Sequence, residues 1–110
     1  MARVLTLKDR KQARAEEIRA DFERLREALA DYGRAHDGRF LIYGSAATGR
    51  FHYESDIDIL VDFGKGGLAD ALRFVEETCA RLRLKADVQP LAWCTPEFIE
   101  RVSRATLVLP

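Results

Sequence analysis

The chain has 110 residues, 47% of them hydrophobic, which suffices for one modest core and a single domain spanning 1–110. Its 18 Lys and Arg balance its 18 Asp and Glu, so no overall field draws it to nucleic acid or to an anionic membrane. Cys79 and Cys94, with no CxxC pair and no histidine at ligand spacing, argue against a zinc site or a disulfide framework and suit a reducing compartment.

No signal peptide and no apolar run of about 18 residues is present, so a soluble cytoplasmic protein is the expectation. The first predicted element is a helix over about 6–36. Thr6 offers an N-cap with Asp9 three positions on, and Ile18, Phe22, Leu25, Leu29 and Tyr32 recur at steps of 4, 3, 4 and 3. That single apolar stripe packs on one neighbour, the sheet. Arg3, Lys8, Arg10, Lys11 and Arg14 against Asp9 make the start of the chain basic, a solvated helical face first and a partner contact second. Asp37-Gly38 signals a turn.

Phe40-Leu41-Ile42-Tyr43 is an apolar run that stops at Gly44-Ser45, the pattern of a short buried strand. Gly44 lets the backbone turn sharply and approach a ligand. Ser45 opens a predicted short helix whose free N–H groups and hydroxyl suit a phosphate. Arg50 to Glu54 follow as a polar and aromatic loop, with His52 solvated.

With ten residues between, Ser45 is followed by Asp56-Ile57-Asp58, running directly into Ile59-Leu60-Val61. Successive strand side chains alternate, so Asp56 and Asp58 share one face, about 7 Å apart, while Ile57, Ile59 and Val61 take the other. Two like charges so placed repel. A bare Asp-x-Asp fits the solvated face of an edge strand; framed by Gly-Ser and an apolar run, this pair is better explained by a bound cation. Asp62 belongs to the strand's end.

Leu68, Leu72, Val75, Cys79 and Leu82 form a second helical stripe reaching about Arg83, with Cys79 as a small core hydrophobe. Leu84 to Gln89 reads as a third strand stopped by Pro90, carrying a third carboxylate at Asp87. Thr95-Pro96-Glu97 starts a third helix, with Thr95 as N-cap and Pro96 at its first position. Ala105 to Leu109 is a last short strand, and Trp93 is expected to anchor the core beneath this corner.

Gly44-Ser45, ten residues, then Asp56-x-Asp58 resembles the signature of the DNA polymerase β-like nucleotidyltransferase superfamily. The short chain and Ser55-Asp56-Ile57-Asp58-Ile59-Leu60-Val61 look most like its minimal nucleotidyltransferase (MNT) branch. The resemblance is strong over Phe40–Val61 and looser to the C-terminus. It implies an α/β (α+β) fold, a short mixed sheet flanked by helices, with a catalytic core over about 39–110 after the N-terminal helix.

It also implies a site. Asp56, Asp58 and Asp87 would hold two Mg²⁺ ions, which prefer carboxylate and phosphate oxygens. Gly44, Ser45 and Arg50 would bind the nucleotide, ATP. The chain departs from its relatives at Ala46 and Thr48, where arginines are frequent, leaving triphosphate binding to Arg50 or to backbone N–H groups. MNT proteins are often encoded with a HEPN-domain partner, and members of that pairing act as antitoxins that adenylylate the HEPN toxin. The expected activity is therefore transfer of AMP to a hydroxyl on a partner protein. The alternative is a binding module of the same fold that neutralises its partner without chemistry.

Overall fold

A computed structural model of the chain describes residues 7–44, 56–103 and 107–109, the side chains at 8, 102–103 and 107–109 excepted. The elements follow the order α1 (Leu7–Ala35), β1 (Arg39–Tyr43), β2 (Asp56–Asp62), α2 (Leu68–Arg81), β3 (Lys85–Pro90), a 3-10 turn (Leu91–Trp93), α3 (Pro96–Ser103) and β4 (Leu107–Leu109). The strands form one sheet in the order β3-β2-β1-β4. β1 pairs antiparallel with β2 and β4, whereas β2 and β3 run parallel, so the sheet is mixed. The α+β architecture with helices flanking a mixed sheet is the one the sequence implies.

The core lies between the sheet and α1 with α2. Ile18, Phe22, Leu25 and Leu29 of the α1 stripe are buried with Phe40 and Ile42 of β1 and Ile57, Ile59 and Val61 of β2. α2 adds Ala71, Val75 and Cys79. These strand residues alternate with those of the opposite face, as a period of two requires. Tyr32 closes one end of the core, its ring stacked between His36 (4.0 Å) and Phe74 (4.2 Å).

Both long helices end in the same way. Gly38 N–H donates to the Gly33 carbonyl and Leu84 N–H to the Cys79 carbonyl, each reaching back five residues, with Asp37 (φ 56°) and Arg83 (φ 57°) in the left-handed conformation between. α2 therefore stops at Arg81, earlier than its periodicity suggests, and the left-handed residue is Arg where the usual signal would be Gly. Gly38 is required for space as well. A β-carbon there would stand 2.3 Å from the Phe63 ring.

Three expectations are corrected. β3 begins at Lys85, after Leu84 has turned into the core, and includes Pro90, which stands opposite Val61. β3 is an outer strand of the described sheet, where the missing proline N–H leaves no inner ladder bond unmade. Trp93 does not anchor the core; it is 77% exposed in the 3-10 turn. The second face of the sheet is covered instead near Phe98 of α3, whose ring meets Tyr43 edge-on at 5.7 Å. α3 starts as its sequence predicts, Phe98 N–H donating to Thr95 Oγ1 at 3.1 Å. The Thr6 cap, the short helix from Ser45 and the 50–54 loop lie outside the described residues.

Candidate active site

At the end of the sheet where β1 finishes and β2 and β3 begin, three strands bring polar side chains to one face. Tyr43 is registered with Asp58, Asp58 with Asp87, and Asp56 with Lys85. Directly paired residues point to the same side of a sheet, and neighbouring strands lie about 4.8 Å apart. Tyr43, Asp58 and Asp87 therefore form a row across β1, β2 and β3, with Asp56 and Lys85 in the next row outward. Asp56 and Asp87 are exposed, while Asp58 is partly buried.

Gly44 borders this row. Its φ is +78°, a conformation that side chains disfavour, and a β-carbon built there would lie 2.6 Å from Asp58 Oδ2. The glycine that ends β1 thus leaves the volume into which the Asp58 carboxylate fits.

The electrostatics follow from the register. Burial raises the pKa of the Asp58 carboxyl above the ordinary aspartate value, and the charges of Asp87 and then Asp56 raise it further. The Tyr43 phenol is raised by burial and by the charges of Asp58, Asp87 and Cys94. Both shifts come first from burial and then from the negative charge gathered at this end of the sheet. A cation would relieve it.

Among the described residues no three His, Cys, Asp or Glu side chains gather around a point that could hold a metal ion. The three carboxylates share a face rather than a centre. Their chemistry nonetheless suits a hard divalent cation, being all oxygen donors. Asp56 and Asp87 stand exposed on either side of the partly buried Asp58. Ser45 and Arg50 lie outside the described residues, so of the predicted nucleotide-binding residues only Gly44 is placed.

Asp62 stands apart. It faces Arg39 across the ladder at the far end of β2, its Oδ2 accepting a hydrogen bond from Arg39 Nε at 2.6 Å. Tyr43 is the member of the row that the sequence reading did not single out. Alternation along Phe40-Leu41-Ile42-Tyr43 gives it a face, but only the β1–β2 register sets it beside Asp58.

Residues 22–106 match the model of the nucleotidyltransferase domain. The chain belongs to that family. Among solved structures it is similar to a protein provisionally described as a minimal nucleotidyltransferase, with a TM-score of 0.66 and 24% identity, over 81% of this chain and 93% of that one. At that identity the likeness speaks for the fold. No curated protein matches the chain.

As a nucleotidyltransferase domain the chain is of the transferase kind, and such domains use a nucleoside triphosphate and a divalent metal. Gly44 and the Tyr43–Asp58–Asp87 row occupy the part of the matched region where the strands converge. Among the described residues no helix is long and apolar enough to cross a membrane.

Proposed function

We propose that the chain is an Mg²⁺-dependent nucleotidyltransferase that moves AMP from ATP to a hydroxyl on a partner protein, as the antitoxin of a HEPN/MNT pair. The observation that carries this reading is the parallel pairing of Asp58 with Asp87 beside Gly44, with Asp56 on the same face. Bound Mg²⁺ would supply charge neutralisation at the α-phosphate and pyrophosphate oxygens and lower the pKa of the attacking hydroxyl.

The chain's own residues do the rest. Asp58, fixed against Gly44 and partly buried, is the rigid member of the set. Asp56 and Asp87 complete it from exposed positions. The acceptor oxygen forms a bond to the α-phosphorus while the bond to the bridging oxygen of pyrophosphate breaks, and pyrophosphate leaves with that electron pair. Asp87, on the outer strand, faces the approaching acceptor and accepts the hydroxyl proton. Gly44 borders the place for the β- and γ-phosphates, and Ser45 and Arg50, outside the described residues, are the further residues assigned to nucleotide binding. Because the carboxylates sit on strands, little reorganisation is needed as charge builds up.

A protein acceptor is supported by the sequence resemblance of Gly44-Ser45 and Asp56-Ile57-Asp58 to MNT antitoxins. The test incubates the chain with its HEPN-domain partner, α-labelled ATP and Mg²⁺, and looks for AMP on the partner by mass spectrometry. Transfer is expected, and Asp58→Asn, Asp56→Asn or excess EDTA should abolish it. At Mg-ATP a hundredfold above its Kd, the wild type should also gain about 2.7 kcal/mol of stability, and the Asp variants little.

One observation favours a second reading. The carboxylates are not gathered around a common centre, as would suit a domain that neutralises its partner by binding alone. Suppression of the partner by the Asp56→Asn/Asp58→Asn variant, with no AMP found on the partner in any preparation, would decide for it.

A further inference from the structure

The stripe by which α1 packs on the sheet does not end where the sheet ends. Reading back from the buried Leu29, Leu25, Phe22 and Ile18, steps of three and four reach Arg14, Lys11 and Leu7. At 1.5 Å per residue α1 is roughly 43 Å long, whereas the strands it covers, with at most the seven residues of β2, extend about 23 Å. No described residue between 7 and 17 is buried. About 16 Å of helix therefore runs on as an arm beyond the core.

The fold fixes where the arm points. α1 turns into β1 through Asp37-Gly38 and so runs antiparallel to it. Its N-terminal half leaves the sheet at the end where β1 finishes at Gly44 and where β2 and β3 begin. Arg14 marks the place: its guanidinium donates to the Arg83 carbonyl at 3.0 Å. Arg83 is the left-handed residue that closes α2 just ahead of β3, the strand that carries Asp87.

Three features give the arm a purpose beyond packing. The face that is apolar over the sheet becomes basic on leaving it, with Lys11 and Arg14 on the stripe and Arg10 beside it. Leu7, at the described tip, is 68% exposed. And the nucleotidyltransferase domain match begins at Phe22, so the arm is additional to what the family shares. A helical segment this long without support is marginal in water, and a surface laid along it would remove that weakness.

We propose that the arm, residues 7–17, is the docking surface for the protein acceptor. It takes an acidic surface of that protein, clustered around an apolar contact at Leu7. The proposal rests on the reading of a protein acceptor given above. The arm leaves the core face of the sheet, opposite the carboxylates but at the same end, and its basic side chains steer and orient an acidic partner whose hydroxyl reaches round that end to Asp87. An apolar contact at the exposed Leu7 beside the basic side chains suits a protein surface, whereas a phosphate backbone offers it no apolar counterpart.

The test titrates the full chain calorimetrically with the HEPN-domain protein, comparing wild type, Arg10→Glu/Lys11→Glu and Leu7→Ala, with label transfer followed in parallel. The charge reversal should weaken the complex at least about tenfold at roughly 0.1 M salt, and the difference should shrink at about 1 M, where screening is strong. Leu7→Ala should weaken it at both. KM for the acceptor should rise while the affinity for Mg-ATP and kcat at saturating acceptor stay put. Arg10→Gln/Lys11→Gln serves as the second variant if the reversal lowers the melting temperature. Variants that bind like wild type would overturn the proposal. So would a wild type that does not bind this protein, or one that binds a short DNA duplex more tightly. Absence of label in a complex that still depends on the arm would count against transfer and leave the docking surface standing.

Discussion

The carboxylate of Asp58 occupies the space that a side chain at Gly44 would need: a β-carbon there would lie 2.6 Å from Oδ2. The backbone at Gly44 also has φ +78°, so any other residue carries conformational strain in addition to the clash. Gly44→Ala should destabilise the protein by about 1–2 kcal/mol from the backbone alone. Moving Asp58 by even about 1 Å should lower transfer by on the order of 100-fold. Denaturant melts and label transfer on the same preparation check both. An alanine variant with full activity would mean that Asp58 is not held by this contact.

Asp58 has the opposite influence on stability. Burial first, then Asp87 and Asp56, raise its carboxyl above the ordinary aspartate value. An acid whose folded pKa is raised binds its proton more tightly when folded, so stability falls as pH rises from the unfolded value through the folded one. In metal-free protein Asp58→Asn should therefore melt higher than wild type at about pH 7, and the gap should close towards about pH 3, below the ordinary aspartate range. Melting curves in EDTA across that range provide the measurement. A variant that melts lower at neutral pH would show that the charge is matched by a partner.

Leu25 and Trp93 test the placement of the core. Leu25 is wholly buried among α1, the sheet and α2, so Leu25→Ala should cost about 2–5 kcal/mol. Trp93, mostly exposed, should tolerate Trp93→Ala within about 0.5 kcal/mol. Urea unfolding of the two variants beside wild type separates them, and the fluorescence of the single tryptophan should already be that of a solvated indole in the native protein.

The two thiols should differ in reactivity. Cys79 is buried in α2, and burial, with the charge of Glu76, pushes its pKa up to about 11. Cys94 is partly exposed, its sulfur 3.6 Å from the Pro90 carbonyl oxygen. At about pH 8 a thiol reagent should label Cys94 in the native protein and reach Cys79 only on unfolding. Rapid native labelling of both would show that α2 opens locally.

Much of this was legible in the chain because helices announce themselves by period. The stripe of α1 is the buried face found, since a solvent-backed helix must place its apolar residues at steps of three and four. The stripe of α2 lies close to its buried face, with Ala71 and Thr78 buried beside Val75 and Cys79 while Leu68, Leu72 and Leu82 are half-buried. The alternation at Asp56-Ile57-Asp58-Ile59 gave two faces correctly for the same kind of reason. Register was not legible. The ten residues between Ser45 and Asp56 fix no turn type, so nothing local pairs Tyr43 with Asp58. Asp37-Gly38 marked the end of α1, but the end of α2 was silent, because Arg83 takes the left-handed position without the glycine that usually marks it. Trp93 misled through its size. Whether a large aromatic is buried depends on how the 3-10 turn leaves the sheet, which is a tertiary matter.

The parallel pairing of β2 with β3 has a consequence for folding. Two parallel neighbours cannot be joined by a tight turn, so the whole of α2 lies between Asp58 and Asp87. The hairpin-like contact of Asp58 with Tyr43 and the helical turns of α2 can form early, but the carboxylate row is complete only after the crossover closes and α2 docks. In a chain emerging from synthesis, the chemistry would be switched on last, after the core that supports it. A change deep in α2, at Val75 or Ala71, would then delay the appearance of activity in refolding without touching a single residue of the row.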